Sequence, residues 1–328
     1  MKQRIFGRTG RSVSEVGFGA WAIGGTWGEV SHEDAKSALH AALDAGISFI
    51  DTADVYGDGR SEKIIAEVLN ERGGERPFVA TKAGRRLSPH VAKGYNAENL
   101  TAFVDRSLEN LQTDTLNLLQ LHCPPTEVYY QPEVFAALDE MQAAGKIRAY
   151  GVSVEKIEEA LKAMEFPNVT SVQIIYNLFR QRPAELFFQE ARRRNVAVIA
   201  RVPLASGLLT GKMSASTAFS ADDHRAFNRN GEAFDKGETF SGVPYDVALD
   251  AVEDVRQYVS GDATMAAFAL RWILMADAIS VVIPGAKNRE QAQANARASD
   301  LPALSDETMA AIKAIYQQKI APWVHQRW

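Results

Sequence analysis

Apolar positions along this chain switch repeatedly between a period of about 3.6 and short continuous runs. After Ser31, the residues Ala35, Ala38, Leu39, Ala42 and Leu43 recur at helical spacing. Ser31 and Asp34 form a capping-box-like start, and Gly46 offers a stop. Residues 47–51 then read as a strand. A second helix carries Ile64, Ile65, Val68 and Leu69 and leads to a strand at 78–81. A third, with Asn96 as its cap, carries Leu100, Phe103, Val104, Leu108 and Leu111 and precedes a strand at 116–121. A fourth begins at Pro132, buries Val134, Phe135, Leu138 and Met141, and precedes a strand at 147–153. Further strands fit 171–175, 196–200 and 278–283, and residues 16–19 make an eighth. Strand and helix in alternation mean parallel βαβ units. Eight such units predict an α/β fold of the (β/α)8 TIM-barrel type.

Three features decorate this pattern. Residues 2–19 read as a β-hairpin around the turn at Gly7 and Gly10. Residues 204–244, after the seventh strand, lack periodicity and are rich in Gly, Ser, Asp and Phe, as a lid or binding loop is. Helical patterns at 245–259 and 263–275 precede the last strand. A helix from about Arg289 and an extra C-terminal helix from Asp306 follow it. No linker interrupts the rhythm, so residues 1–328 are expected to form one barrel domain. An open doubly wound sheet competes, but no G-x-G-x-x-G follows any expected strand.

Composition removes several classes. Lys and Arg number 36 against 41 Asp and Glu, a formal charge of −5, which lacks the basic excess of a nucleic-acid binder. The single cysteine, Cys123, forms neither an internal disulfide nor a thiolate metal cluster. The start of the chain has no apolar signal core, and no apolar run is long enough to span a bilayer. A cytoplasmic protein acting on small molecules is the expectation, with no nucleic acid or membrane as partner.

In such a barrel the chemistry lies at the carboxyl ends of the strands. Asp51 ends the second strand, Lys82 follows the third, His122 ends the fourth and Ser153 the fifth, Gln173 lies in the sixth, and Tyr56 stands five residues past Asp51. Taken singly, each has an ordinary reading: a capping Asp, a packing Tyr, a solvated Lys, a structural His. Together they would converge on one mouth. A phenol with a pKa near 10 is a poor acid at neutral pH, and a neighbouring ammonium lowers that value by stabilising the phenolate. A carboxylate would hold the ammonium, and a neutral imidazole can donate a hydrogen bond to a carbonyl oxygen. The set suits protonation of a carbonyl oxygen as it gains negative charge. A hydride must come from elsewhere, and a nicotinamide is the usual source.

The segments FIDTADVYG (49–57), VATKAG (79–84), LLQLHCP (118–124), GVS (151–153), VQIIYN (172–177), PLASGLLTGK (203–212) and IPGAKNREQAQAN (283–295) occur in this order and spacing. Over nearly the whole chain, from 17 to 295, they resemble the aldo-keto reductase superfamily, most of all the branch that includes potassium-channel β subunits and many bacterial reductases. The resemblance implies a nicotinamide dinucleotide bound by the barrel itself, with Tyr56 as proton donor, Lys82 and Asp51 tuning it, and His122 orienting the carbonyl. It implies that Gly19, Ala20, Trp21 and Asp51 approach the nicotinamide ribose and that Ser153 and Gln173 bond the carboxamide. Arg201 and Val202 would lie beside the nicotinamide, and Pro203, Leu204, Ala205, Ser206 and Lys212 would hold the pyrophosphate. Gly285, Lys287, Gln291 and Asn295 would line the adenosine end. Independently, Lys287 and Arg289 follow the last strand near a helix start, a place that favours phosphate, so NADPH is expected over NADH. Substrate-facing residues are expected from Trp21, Trp27, Tyr56, His122, Tyr129, Tyr130, the 204–244 loop and Trp323.

Three departures stand out. Val154 replaces the Asn of the family's GVSN, Ala294 replaces a Glu, and Arg201 takes the place of an aromatic residue that stacks on the nicotinamide. Arg is planar and can stack, but a cation beside the ring is expected to disfavour the oxidised, positively charged nicotinamide. The main reading is an NADPH-dependent oxidoreductase that reduces aldehydes or ketones to alcohols. A nicotinamide-binding regulatory subunit with little turnover is the alternative. A Schiff-base lyase using Lys82 is a third, and a metal hydrolase is weaker because His122 and Asp51 fall short of three ligands. No metal is expected. Oligomeric state, physiological substrate and reaction direction are left open.

Overall fold

A computed structural model describes residues 1–25, 28, 30–259 and 261–328. Eight parallel strands follow one another around a sheet: β3 (Phe18–Gly19), β4 (Phe49–Asp51), β5 (Phe78–Ala83), β6 (Leu118–His122), β7 (Tyr150–Ser153), β8 (Val169–Ile175), β9 (Ala197–Arg201) and β10 (Ile279–Val282). The first and last strands meet. Gly17 N donates to Val282 O at 2.8 Å, Val282 N to Glu15 O at 2.9 Å and Gly19 N to Pro284 O at 3.0 Å. The cylinder is thereby closed, with no free edge. The expected (β/α)8 barrel is the fold found.

The helices form where the apolar spacing places them. The helix His32–Asp44 starts at Ser31, whose side chain accepts from Asp34 N, and Asn96 does the same for Asn99 N at the start of Ala97–Leu111. Each buries its apolar stripe against the outside of the cylinder. The inside is a separate apolar cluster that includes Phe49, Ala80, Leu118, Ala197, Ile199 and Val281.

The N-terminal hairpin is also present. It pairs β1 (Gln3–Ile5) with β2 (Ser12–Ser14) and stoppers the amino-terminal end of the barrel. Phe6 packs on Phe49 and Phe78 with ring centroids 5.3 and 5.1 Å apart. Arg4 donates to the carbonyls of Leu274 and Ile279 and pairs with Glu15 at 2.9 Å. With that end plugged, the opposite rim remains for binding.

Of the boundaries that differ from expectation, two bear on the site and the barrel wall. β5 runs on to Ala83, so Lys82 lies within the strand and points into the barrel. At 147–153 the continuous strand begins at Tyr150; before it Ile147 makes an isolated bridge to Leu116, and the register with β8 shifts between Tyr150 and Gly151. At that shift a Cβ on Gly151 would collide with the side-chain and main-chain oxygens of Ser171. Gly151→Ala is therefore expected to destabilise the barrel by about 1–3 kcal/mol, as overpacking does, read as a lowered midpoint in urea.

Candidate active site

Because parallel strands end on one rim, the polar strand-end residues come together. Register sets their heights: Asp51 lies beside Ala80, Lys82 beside Gln120, His122 beside Ser153, and Ser153 beside Gln173. Lys82 is 0% exposed. Its ammonium donates to Asp51 Oδ2 at 2.6 Å, to the Thr52 carbonyl at 2.8 Å and to the Tyr56 hydroxyl at 3.3 Å. Three donors meet three oxygens. Burial works against the charge, but Asp51 and Tyr56 outweigh it and hold the Lys82 pKa above the ordinary lysine value. The other Asp51 oxygen accepts from Gln173 Nε2 at 2.7 Å and Gln120 Nε2 at 3.1 Å.

The Tyr56 ring stands 5.8 Å from the His122 ring, edge to face. One expectation needs correcting. Burial raises the Tyr56 pKa above the ordinary phenol value, and the pull of Lys82 does not overcome it. The phenol is thus a protonated donor whose phenolate Lys82 stands ready to stabilise. Burial first, and then the charges of Arg85, Lys82 and Arg201, push the His122 pKa well below the usual imidazole range. His122 is neutral, and its buried Nδ1 has no hydrogen-bond partner among the described residues.

Above these groups lies an aromatic roof. Trp21 stacks near Tyr56 at 6.1 Å, and His224 and Phe234 from the long loop reach it at 4.8 and 6.1 Å. Trp27 lies outside the described residues. Tyr129 is fully buried within the apolar core behind the mouth, whereas Tyr130 and Trp323 are exposed.

Arg201 is deeply engaged. Its guanidinium donates to Glu155 Oε2 at 2.7 Å and to the Val154 carbonyl at 3.0 Å, and lies 3.6 Å from Glu238 Oε2. Arg85 contacts the other oxygen of both carboxylates. Two guanidiniums and two carboxylates form a closed ring, so the cation at 201 is not bare. Cys123 Sγ lies within 4.8 Å of carboxylate oxygens of Glu155 and Glu238, a spacing that would admit a metal, but the two arginines already supply the positive charge. Burial raises the Cys123 thiol to about 12, which leaves it unreactive.

Further round the rim, residues 202–206 make a tight turn. Val202, Ala205 and Ser206 all have positive φ, at 50°, 47° and 56°. Such residues cost about 1–3 kcal/mol each and persist only when neighbours hold them. Ser206 Oγ donates to Glu238 O and accepts from Phe240 N, both at 3.1 Å, and Asn177 Nδ2 donates to Val202 O at 2.8 Å. Lys212 is exposed on the far side of the 3-10 turn Ala205–Thr210. Gly285, Lys287, Gln291 and Asn295 cluster at the last strand: Asn295 Nδ2 bonds Gly285 O at 3.0 Å, and Gln291 Oε1 accepts from Lys287 N at 2.9 Å. Lys287 Nζ lies 3.8 Å from the point a Gly28 Cβ would occupy. Burial and then Arg225 lower its pKa. Gly19 N bonds Pro284 O and Ala20 N bonds Asp51 O, so both line the first strand's exit. Ser153 Oγ lies 3.4 Å from Cys123 Sγ.

Sequence reasoning passed over Gln120, Glu155, Asn177, Arg85, Glu238 and Arg225. Gln120 sits two residues before His122 on the same strand face, a signal that period-2 alternation could have given. The others depend on contacts between distant loops.

Comparison with known proteins agrees with this fold. The model of the Aldo/keto reductase family matches residues 15–317. The chain is 33% identical over 293 residues to the aldo-keto reductase YhdN of Bacillus subtilis (strain 168), covering 87% of this chain and 85% of that one. It is 26% identical to the aldo-keto reductase yakc [NADP(+)] of Schizosaccharomyces pombe, over 92% of this chain and 88% of that one. The glycerol dehydrogenase AKR11B4 from Gluconobacter oxydans superposes with a TM-score of 0.77 at 30% identity, over 94% and 93% of the two chains. The chain belongs to the aldo/keto reductase family, and that membership makes it an oxidoreductase. No described helix is long and apolar enough to cross a membrane.

Two outcomes follow from the charges. Burial, and then the Glu62 carboxylate, raise the Asp54 carboxyl from 3.8 to about 7. A raised carboxyl favours the protonated form, so its stabilisation is complete below the unfolded value and is lost as pH rises through about 7. Asp54→Asn should therefore gain stability relative to the native chain as pH rises from about 4 to about 7, by up to ~1.4 kcal/mol per pH unit within that window and no further above it, read as the difference in thermal midpoint. Arg201→Tyr leaves Glu155 and Glu238 sharing one guanidinium and should cost about 3–5 kcal/mol in urea unfolding.

Proposed function

We propose that this chain is an NADPH-dependent reductase of aldehydes or ketones, with Tyr56 as the general acid. The observation that carries the reading is the Lys82 ammonium, bonded at once to Asp51 and to the Tyr56 hydroxyl. The same cation that ties the strand ends together also touches the phenol. Its effect is to lower the cost of removing the phenolic proton at the moment of transfer.

The site fits a nicotinamide dinucleotide. The strained turn at 202–206 follows β9 on the rim, and Arg225, paired with Asp223 at 2.5 Å, acts electrostatically on Lys287, so that two cations come from different loops. Gly19, Ala20, Trp21, Ser153, Gln173 and Arg201 would face the nicotinamide half, Pro203 to Ser206 and Lys212 the pyrophosphate, and Gly285, Lys287, Gln291 and Asn295 the adenosine half. Paired cations suit a 2′-phosphate, which supports NADPH over NADH. When bound, the cofactor supplies a hydride.

The chain's own residues do the rest. His122, neutral and with a ring nitrogen to spare, orients the substrate oxygen and excludes a competing charge. Tyr56 donates its proton to that oxygen as negative charge grows there. Lys82 stabilises the phenolate left behind, and Asp51, fixed by Gln120 and Gln173, keeps Lys82 in place. Trp21, His224 and Phe234 shield the mouth from water, and they suit a small carbonyl compound with apolar character. The similarity to a glycerol dehydrogenase is consistent with small hydroxy or carbonyl substrates.

Oxidation of NADPH, followed optically against a panel of aldehydes, ketones and sugars, tests the proposal. Tyr56→Phe should lower kcat by about 10²–10⁴-fold while the affinity for NADPH stays the same. NADPH binding by a native chain that turns over no carbonyl compound would instead favour a regulatory binding module.

A further inference from the structure

The turn at 202–206 holds three non-glycine residues in the left-handed region, one of them the β-branched Val202. Its own sequence does not favour that shape, so its neighbours must impose it. Those neighbours are Asn177, whose amide also donates to Ser241 Oγ at 2.8 Å, and the loop segment 238–240, which clamps Ser206. The question becomes what holds the loop segment.

Trp328 lies on its opposite face. The indole is 7% exposed. Its ring covers Gly237 and Gly242, where an added Cβ would come within 2.9 and 2.5 Å of it. Its Nε1 donates to Asp235 Oδ1 at 2.8 Å, and the same oxygen accepts from Gly237 N at 2.7 Å. The Arg180 guanidinium, itself 5% exposed, stacks 4.3 Å from the ring centroid. Residues 235–242 are therefore pressed between the indole and the strained turn.

We propose that Trp328 is a positioning residue for the cofactor: by seating on Gly237 and Gly242 it holds segment 235–242 against Ser206, and so keeps the 202–206 turn in the shape that receives a dinucleotide pyrophosphate. This rests on the cofactor reading given above. Trp328 touches neither Tyr56 nor Lys82 in the contacts described, so its effect falls on cofactor affinity and not on the proton transfer.

The test is steady-state kinetics and NADPH titration on Trp328→Ala, Trp328→Phe, Ser206→Ala and the double variant Trp328→Ala/Ser206→Ala. Trp328→Ala should weaken NADPH binding and raise its KM by about 10- to 100-fold, with kcat at saturating NADPH and the KM for aldehyde within about threefold. Trp328→Phe, which still fills the notch and stacks on Arg180, should restore most of the affinity. The double variant should be little worse than Ser206→Ala, because both act through one joint. If Trp328→Ala does not fold, Asp235→Ala loosens the same joint and should show the same KM pattern at smaller size. Unchanged NADPH affinity in these variants, equal losses in kcat, or additive effects with Ser206→Ala would overturn the proposal while leaving the reductase reading intact. Failure of the native chain to bind NADPH would overturn both.

Discussion

The Lys82 ammonium, buried at the centre of a ring of strand ends, is the constraint around which the site is built. An unpaired charge there would cost several kcal/mol. Asp51 offsets it across 2.6 Å, and the Thr52 carbonyl and Tyr56 hydroxyl take the remaining protons. Asp51 has needs of its own, met by Gln120 and Gln173. One charge thus dictates polar residues on β4, β5, β6 and β8. The barrel interior below it is largely apolar, with the buried Ser171 among its few polar residues.

A second charged assembly does a different job. Arg85, Glu155, Arg201 and Glu238 come from the exits of β5, β7 and β9 and from the long loop, and each carboxylate bridges both guanidiniums. Three of the four belong to the barrel frame. Glu238 is the loop's contribution, and it fastens the loop to the rim beside His122. The departure at 201 makes sense in this setting: without an aromatic there, the guanidinium reaches across to the Val154 carbonyl and the neighbouring Glu155, while nothing in the structure explains the Val154 side chain.

The buried polar cluster around Lys82 and the strained turn at 202–206 are supported separately. Buried hydrogen bonds among strand residues fix Tyr56 and Lys82. The 202–206 turn leans on loop contacts at Asn177, Ser206 and, behind them, Trp328. Strand residues hold the Lys82 ammonium beside the Tyr56 hydroxyl, whereas loop contacts hold the 202–206 turn.

Much of this was legible in residue order. The 3.6 spacing after Ser31 and Asn96 marks helices because backbone geometry is local, and both caps form as their residue types require. Eight parallel units also put Asp51, Lys82, His122 and Ser153 on one rim, since parallel strands share a direction. What residue order left undecided was who pairs with whom. Gln173 reaches Asp51 across 122 positions, and Glu238 reaches Arg85 across 153. Those pairings are set by strand register and loop path. The same is true of the balance that raises the Tyr56 pKa despite Lys82, because burial is a property of the packed chain and not of any segment. Local spacing determined the elements and the rim; only the closed barrel, by fixing distances and excluding water, decided which charges face each other and how strongly.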